Sequence, residues 1–145
     1  QASLKLNLDI IFPIHPRTRE AFAKFGINPR TYLGSKAKLL PPVSVIDSLS
    51  YVANARIIVT DSGCIQEEAC ILNTPCVTVR ENTERPETLR VGANILSECS
   101  RMKIVNNVVR ANEIPVNWKH PYGNASAARN AVEIVMTNYN NLRNY

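Results

Sequence analysis

Two spacings of apolar residues alternate along the chain. Short β-branched runs predict strands, and stretches with apolar residues three or four positions apart predict helices between them. The predicted strands are 8–14, a short segment near 38–40, 56–60, 76–80 and 93–97. The predicted helices are 16–26, 44–55, 64–72, 86–92, 101–111 and 124–142. This alternation predicts an α/β fold: a three-layer, Rossmann-like, mainly parallel sheet with helices on both faces.

The length of the chain, 145 residues, fits one domain with its own core. No internal repeat or low-complexity run marks a boundary, so residues 1–145 are predicted to form a single domain. No apolar run approaches the ~20 residues of a membrane span. The sequence lacks a signal-peptide layout and a starting methionine and enters a predicted strand almost at once. We therefore expect a processed chain or a fragment of a longer protein.

The charge and cysteine patterns narrow the classes of partner. The net charge is +5, but the basic residues form no tract and are not interleaved with aromatic rings, so we expect no nucleic-acid partner. A modest positive charge also suits an anionic small ligand. The four cysteines include no C-x-x-C pair and neither histidine has a ligand-like spacing, which predicts no metal site. Reduced cysteines of this kind are typical of a cytoplasmic protein.

The turn "TDSGC" (60–64) joins a predicted strand to a predicted helix. In parallel α/β sheets, ligands bind beyond the carboxyl ends of the strands, where the N-termini of helices converge. The first N–H groups of a helix have no internal partner, Gly63 lets the backbone approach an anion, and Ser62 offers a hydroxyl. The turn therefore predicts a phosphate site. The structural alternative is a turn in which Asp61 or Ser62 only caps the helix.

Glu68 extends this prediction from a phosphate to a nucleotide. It follows Ser62 by six residues, roughly 9 Å along a helix axis. That distance is comparable to the reach from a diphosphate to the ribose hydroxyls, and a carboxylate can accept hydrogen bonds from two vicinal hydroxyls. The stretch is neither a Walker A loop nor a G-x-G-x-x-G fingerprint. In the structural alternative, Glu67 and Glu68 only complement the helix dipole.

Two further turns leave predicted strands at the same edge of the sheet. "RENTERPE" (80–87) brings Arg85 towards the predicted anion, and "FPIHPRTRE" (12–20) brings His15 to where the head of the ligand would lie. The alternative for His15 is a strand-end histidine packed under a proline. The alternative for Arg85 is a salt bridge to one of its neighbours Glu81, Glu84 and Glu87.

The stretch 59–96, "VTDSGCIQEEACILNTPCVTVRENTERPETLRVGANIL", resembles the non-hydrolysing UDP-N-acetylglucosamine 2-epimerases. "FPIHPRTRE" and "HPYGNASAARNAVEIV" resemble further segments of that family, so the resemblance covers essentially the whole chain. It implies the C-terminal half of a two-domain GT-B architecture that holds the nucleotide in its cleft. It also implies interconversion of UDP-GlcNAc and UDP-ManNAc by elimination and re-addition of UDP, without a cofactor, in a cytoplasmic homodimer that serves cell-surface polysaccharide synthesis.

The resemblance also assigns roles by position. It implies that the diphosphate meets Ser62, Gly63 and Cys64, that the ribose meets Glu68, that Arg85 approaches the phosphates and that His15 is the active-site histidine.

Several departures from the family pattern accompany these assignments. Cys64 stands where the family has a second glycine, Ser48 or Tyr51 where it has an aromatic beside the uracil, and Lys38 where it has a histidine linked to allosteric activation. The family is also roughly twice as long, and its proton-transferring acids lie in an N-terminal domain. We therefore expect this chain alone to be inactive and to bind UDP weakly, because a cleft needs both walls.

Two other functions stay open on the sequence alone. The first is the donor-binding half of a GT-B glycosyltransferase, which would share the fold and the ribose glutamate. His15 followed by "PRTRE", and the "TERPE" loop, argue against it. The second is a non-catalytic α/β module whose turns are only structural.

Overall fold

The computed structural model describes residues 1–143. The helices are α1 Ala2–Leu6, α2 Pro16–Lys24, α3 Pro29–Leu33, α4 Val45–Asn54, α5 Gly63–Ile71, α6 Pro86–Arg90, α7 Arg101–Ala111 and α8 Ala127–Arg143. The strands are β1 Ile10–Pro13, β2 Ala37–Leu40, β3 Ile58–Thr60, β4 Cys76–Thr78 and β5 Asn94–Leu96. The prediction of an α/β fold with parallel strands is confirmed.

The strands form two parallel ladders. β3, β4 and β5 lie side by side in that order, with Ile58 opposite Cys76 and Cys76 opposite Asn94. β1 pairs only with β2. Within residues 1–143 no ladder joins the two sets, whereas the sequence predicted one sheet. Val59 of β3 and Ile11 of β1 are 50% and 47% exposed. A continuous sheet covered by helices would bury both side chains, so their exposure agrees with the separation of the two ladders.

Helices cover both faces of the three-stranded sheet. Cys76 packs with Val52 of α4 and Ala69 of α5 on one face. Val77, the next residue along β4, packs with Val108 and Ala111 of α7 on the other. Successive strand residues point to opposite faces, so this alternation produces the predicted three layers.

Local capping explains two predicted helices and one that was missed. α2 begins with Pro16 in its first turn, and α4 begins where the Ser44 hydroxyl accepts the N–H of Asp47 at 3.1 Å. α3 lies between the predicted helix 16–26 and the predicted strand near 38–40, where the sequence assigned no element. Asn28 caps it by accepting the N–H of Arg30 at 3.0 Å, and a proline follows the cap, so the helical signal was present but short.

The strand predicted over 8–14 matches β1, whereas the sequence assigned no element to the first seven residues. They form α1, because Ala2 and Leu6 pack on the cluster around Val77 and Val108. Asn7 then ends the helix in the left-handed region, with φ of 53°.

The long terminal helix α8 was predicted over 124–142 and begins at Ala127. Its residues Val132, Val135 and Met136 are all more than half exposed. In the part of the chain that the structure describes, no helix is long and apolar enough to cross a membrane.

Candidate functional site

The turn after β3 leaves the start of α5 uncapped. Ser62 holds the N-cap position, yet its side chain makes no capping hydrogen bond. Its backbone N–H instead donates to Thr60 Oγ1 at 3.0 Å. Ser44 differs, since its hydroxyl does cap α4. The Ser62 hydroxyl and the first N–H groups of α5 therefore have no internal capping partner, the condition for anion binding at a helix N-terminus.

The loop after β4 lies directly against this turn. A Cβ built on Gly63 would stand 3.7 Å from Glu84 Oε2 and 3.8 Å from Arg85 Nη2. The two turns thus meet at one edge of the sheet, as parallel pairing of β3 with β4 requires. The turn therefore has the Arg85 guanidinium, the Glu84 carboxylate and the uncapped N–H groups of α5 side by side.

Arg85 is oriented by a carboxylate that the sequence did not suggest. Its Nε pairs with Glu67 Oε1 of α5, and its Nη1 donates to the Glu84 carbonyl at 3.1 Å. Glu84 pairs with Arg80 through two hydrogen bonds of 2.8 and 2.9 Å. The Arg80 hydrogen bond lowers the pKa of the exposed Glu84 carboxyl. The sequence offered, as an alternative for Arg85, a salt bridge to a glutamate close to it in sequence. In the structure Arg85 instead forms its salt bridge with Glu67 of α5.

Glu68 lies one residue beyond Glu67 on α5 and is half-buried. Burial, and then the negative charge of Glu67, raise the pKa of the Glu68 carboxyl. A partly buried carboxylate gains from any hydrogen-bond donor that reaches it.

His15 is exposed and sits at the N-cap of α2. Its Nδ1 accepts the N–H of Arg17 at 3.2 Å. A neutral ring that accepts at Nδ1 carries its proton on Nε2, so the free side of the ring is a donor. It is not packed under a proline. Within residues 1–143, no hydrogen bond or ion pair joins His15 to the Ser62 turn or to Arg85.

Cys64 follows Gly63 in the first turn of α5 and is exposed as a free thiol. Its side chain stands at the mouth of the turn, where the family pattern has only backbone. The N–H of Cys64 belongs to the uncapped set and stays available to an anion.

Sequence reasoning missed a buried polar network beneath the site. Gln66 and Thr88 are fully buried and Asn94 is 5% exposed. The Asn94 side-chain amide donates to Gln66 Oε1 at 3.3 Å and to Thr88 Oγ1 at 3.0 Å. One signal was available: Gln66 shares a helix face with the apolar Ala69 and Cys70, and a polar side chain on a buried face needs partners.

The segment before α8 also reaches the site helix. The indole N–H of Trp118 donates to the Cys70 carbonyl at 2.9 Å. Burial first, and then the charge of Glu67, raise the pKa of Tyr122 to about 12. The Tyr122 hydroxyl is itself buried, although sequence reasoning assigned this segment no role.

Parallel strands, an uncapped glycine turn and an arginine loop define a Rossmann-like domain of the kind that binds anionic ligands. The family model described as UDP-N-acetylglucosamine 2-epimerase matches residues 1–136. The chain belongs to this family.

The individual relatives agree with this membership. A UDP-N-acetylglucosamine 2-epimerase of Methanococcus maripaludis is 44% identical over 133 residues, 92% of this chain and 36% of the relative. A UDP-2,3-diacetamido-2,3-dideoxy-D-glucuronate 2-epimerase of Pseudomonas aeruginosa is 34% identical over 98 residues, 68% of this chain and 26% of the relative. The chain spans about a third of the length of the curated relatives it matches.

Among solved structures, the UDP-GlcNAc 2-epimerase of Methanocaldococcus jannaschii, crystallised with UDP-GlcNAc and UDP, superimposes with a TM-score of 0.86. It is 40% identical, and the match covers 94% of this chain and 38% of that one. The predicted GT-B relationship and family are therefore confirmed by both sequence and fold.

Proposed function

We propose that this chain is the UDP-binding domain of a UDP-N-acetylglucosamine 2-epimerase. Residues 1–145 would form one Rossmann-like unit, the C-terminal half of a two-domain enzyme whose N-terminal half supplies the other wall of the cleft. The observation that carries the proposal is the uncapped Ser62–Gly63 turn with the Arg85 guanidinium beside it, in a chain of this family.

The ligand would lie along the first two turns of α5. The diphosphate would accept hydrogen bonds from the Ser62 hydroxyl and from the N–H groups of Gly63 and Cys64, with Arg85 alongside. The ribose hydroxyls would then donate to the half-buried carboxylate of Glu68. Because Arg85 is already held by Glu67, it needs no large rearrangement to meet the phosphates.

This placement suits the chemistry of a 2-epimerase. Elimination removes the proton from C2 of the sugar, forms a C1–C2 double bond and breaks the C1–O bond, so that UDP leaves as an anion. The turn and Arg85 would stabilise the charge that grows on the leaving diphosphate. Re-addition of UDP to C1, with a proton delivered to the opposite face of C2, gives the epimer. His15, a donor through Nε2, would act at the sugar end of the ligand.

The proposal also covers the cellular compartment of the protein and its partners. Four free thiols, two of them exposed, support a reducing compartment and hence the cytoplasm. The UDP-sugar substrate and the N-terminal half of the polypeptide are the expected partners, and family resemblance supports a homodimer of the full-length enzyme.

Titration of the 145-residue chain with UDP, followed residue by residue by NMR, tests the proposal. We expect weak, saturable binding with the largest amide shifts in residues 62–68 and 83–85. A folded chain whose amides do not respond to millimolar UDP would favour the non-catalytic module. In the full-length protein, transfer of sugar to an acceptor without epimerisation at C2 would favour the glycosyltransferase.

A further inference from the structure

We infer that Gln66 is a positioning residue, an inference that rests on the proposed function. It holds the loop between β4 and α6, residues 79–85 (the Arg85 loop), against the Ser62–Gly63 turn. The Gln66 side chain is fully buried and bonds to both parts. Its Nε2 donates to the Ser62 carbonyl at 3.3 Å. Its Oε1 accepts the hydroxyl of Thr83, in the Arg85 loop, at 2.6 Å.

Two chains of hydrogen bonds lead from Gln66 to the backbone of Arg85. In the first, Thr83 Oγ1 accepts the Arg85 N–H at 3.0 Å. In the second, Asn94 Nδ2 donates to Gln66 Oε1 and to Thr88 Oγ1, and the Thr88 hydroxyl donates to the Arg85 carbonyl at 2.7 Å. Both polar groups of the Arg85 peptide backbone are therefore tied to one glutamine.

The donors and acceptors of this network match throughout. Gln66 Oε1 faces two donors and its Nε2 faces a carbonyl oxygen, so only one orientation of the amide satisfies all three contacts. In a buried network, removing one member leaves the others unpaired, and the loop is then free to find new partners. Such a change would move Arg85 relative to Gly63, and a charge-assisted contact to a phosphate depends strongly on that distance.

The test replaces Gln66 with methionine, which keeps the length of the side chain and removes its amide. In the 145-residue chain titrated with UDP, Gln66→Met should weaken binding about tenfold, the effect of one misplaced charge-assisted contact. Thr74→Val is the matched control. Thr74 is 2% exposed and its hydroxyl donates to the Val52 carbonyl at 2.8 Å, with no link to the Arg85 loop. Its UDP affinity should equal that of the unsubstituted chain.

A double variant separates positioning from general loss of structure. If Gln66 acts through Arg85, adding Gln66→Met to Arg85→Ala should cause no further loss of UDP affinity. Independent losses that add in the double variant would overturn the inference, as would a Gln66→Met chain that binds UDP normally.

Thr83 provides a second route if Gln66→Met does not fold. Thr83→Ser keeps the hydroxyl and should retain affinity, whereas Thr83→Val should lose about as much as Gln66→Met; equal affinities overturn the inference. Failure of the unsubstituted chain to bind UDP would instead overturn the proposed function, and the inference with it.

Discussion

The two sides of the molecule differ in how completely they are built. On the β3–β4–β5 side, the site helix α5 buries Gln66, Ala69 and Cys70, and a polar network fixes the loop that faces it. On the β1–β2 side, α2 has no buried residue. Within residues 1–143, the His15 side chain accepts one hydrogen bond, from the N–H of Arg17 in the first turn of α2.

On the proposed function, this difference would separate nucleotide binding from turnover. A packed helix start with an oriented arginine would be preorganised for a diphosphate, so this domain would recognise the nucleotide before the cleft is complete. Among the residues that the structure describes, the exposed His15 ring is held only by the N–H of Arg17 in its own helix. Its catalytic geometry would therefore depend on the other wall of the cleft.

The largest effect should come from His15, measured as turnover of the full-length protein. His15→Ala should lower kcat about 10²–10⁴-fold, the usual contribution of a positioned acid or base, with little change in UDP affinity. His15→Asn is the control, because asparagine also caps a helix. It should lose turnover equally, and a fully active His15→Asn enzyme would show that only the cap matters.

The next effect compares two serines that hold the same position on different helices. Ser62→Ala and Glu68→Ala should each weaken UDP binding by roughly 1–3 kcal/mol, with little change in stability. Ser44→Ala should do the reverse, costing about 1 kcal/mol of unfolding free energy because its hydroxyl caps α4. Calorimetric titration and denaturant unfolding measure the two quantities. If both Ser62→Ala and Glu68→Ala bound UDP with unchanged affinity, the site assignment would be wrong.

Truncation of a strand side chain should cost more stability on the β3–β4–β5 side than on the β1–β2 side. Val77→Ala removes two carbons from a fully buried position in β4 and should lower the unfolding free energy by about 2 kcal/mol. Ile11→Ala removes three carbons from a half-exposed position in β1 and should cost only roughly 1 kcal/mol. A larger loss from Ile11→Ala would mean that the β1–β2 side is the better packed one.

The smallest effect is a pH dependence of affinity that belongs to Glu68. Only the carboxylate form accepts both ribose hydroxyls, so affinity is complete above the Glu68 pKa and falls as the pH drops through it. Because that pKa is raised, the fall should begin at a higher pH than for an ordinary glutamate at 4.5. The ligand should be UDP-GlcNAc and not UDP. The terminal phosphate of UDP itself titrates at about 6, whereas in UDP-GlcNAc that phosphate is esterified to the sugar. Glu68→Gln should flatten the profile, and an unaltered profile in that variant would assign the titration elsewhere.

Much of this fold follows from local signals in the sequence. Ser44 and Pro16 mark the starts of α4 and α2, and the β-branched run at Ile58 marks β3, because caps and strand propensities act over a few residues. α1 has no such signal. It is held by packing of Ala2 and Leu6 against the cluster of Val77, Val108 and Ala111, about seventy or more residues away in the chain, and no local pattern encodes these contacts.

The site divides in the same way. The Ser62 turn and Glu68 lie within one strand–turn–helix, so their spacing was readable. The partner of Arg85 could not be read from the sequence, because three glutamates lie nearer to it along the chain than Glu67. Glu67 is the partner because α5 packs against the loop that carries Arg85. Gln66 has partners 17 and 28 residues away, and only the folded sheet brings them together.

The bond between Trp118 and the Cys70 carbonyl gives this protein a built-in optical sensor. Trp118 is the only tryptophan in the sequence, and its half-buried indole is hydrogen-bonded to the last turn of α5, the helix whose first turn is the proposed diphosphate site. Its emission can therefore report, without any label, whether the far end of α5 loosens or tightens as ligand arrives at the near end. Stopped-flow fluorescence on the unaltered chain could follow that event in real time.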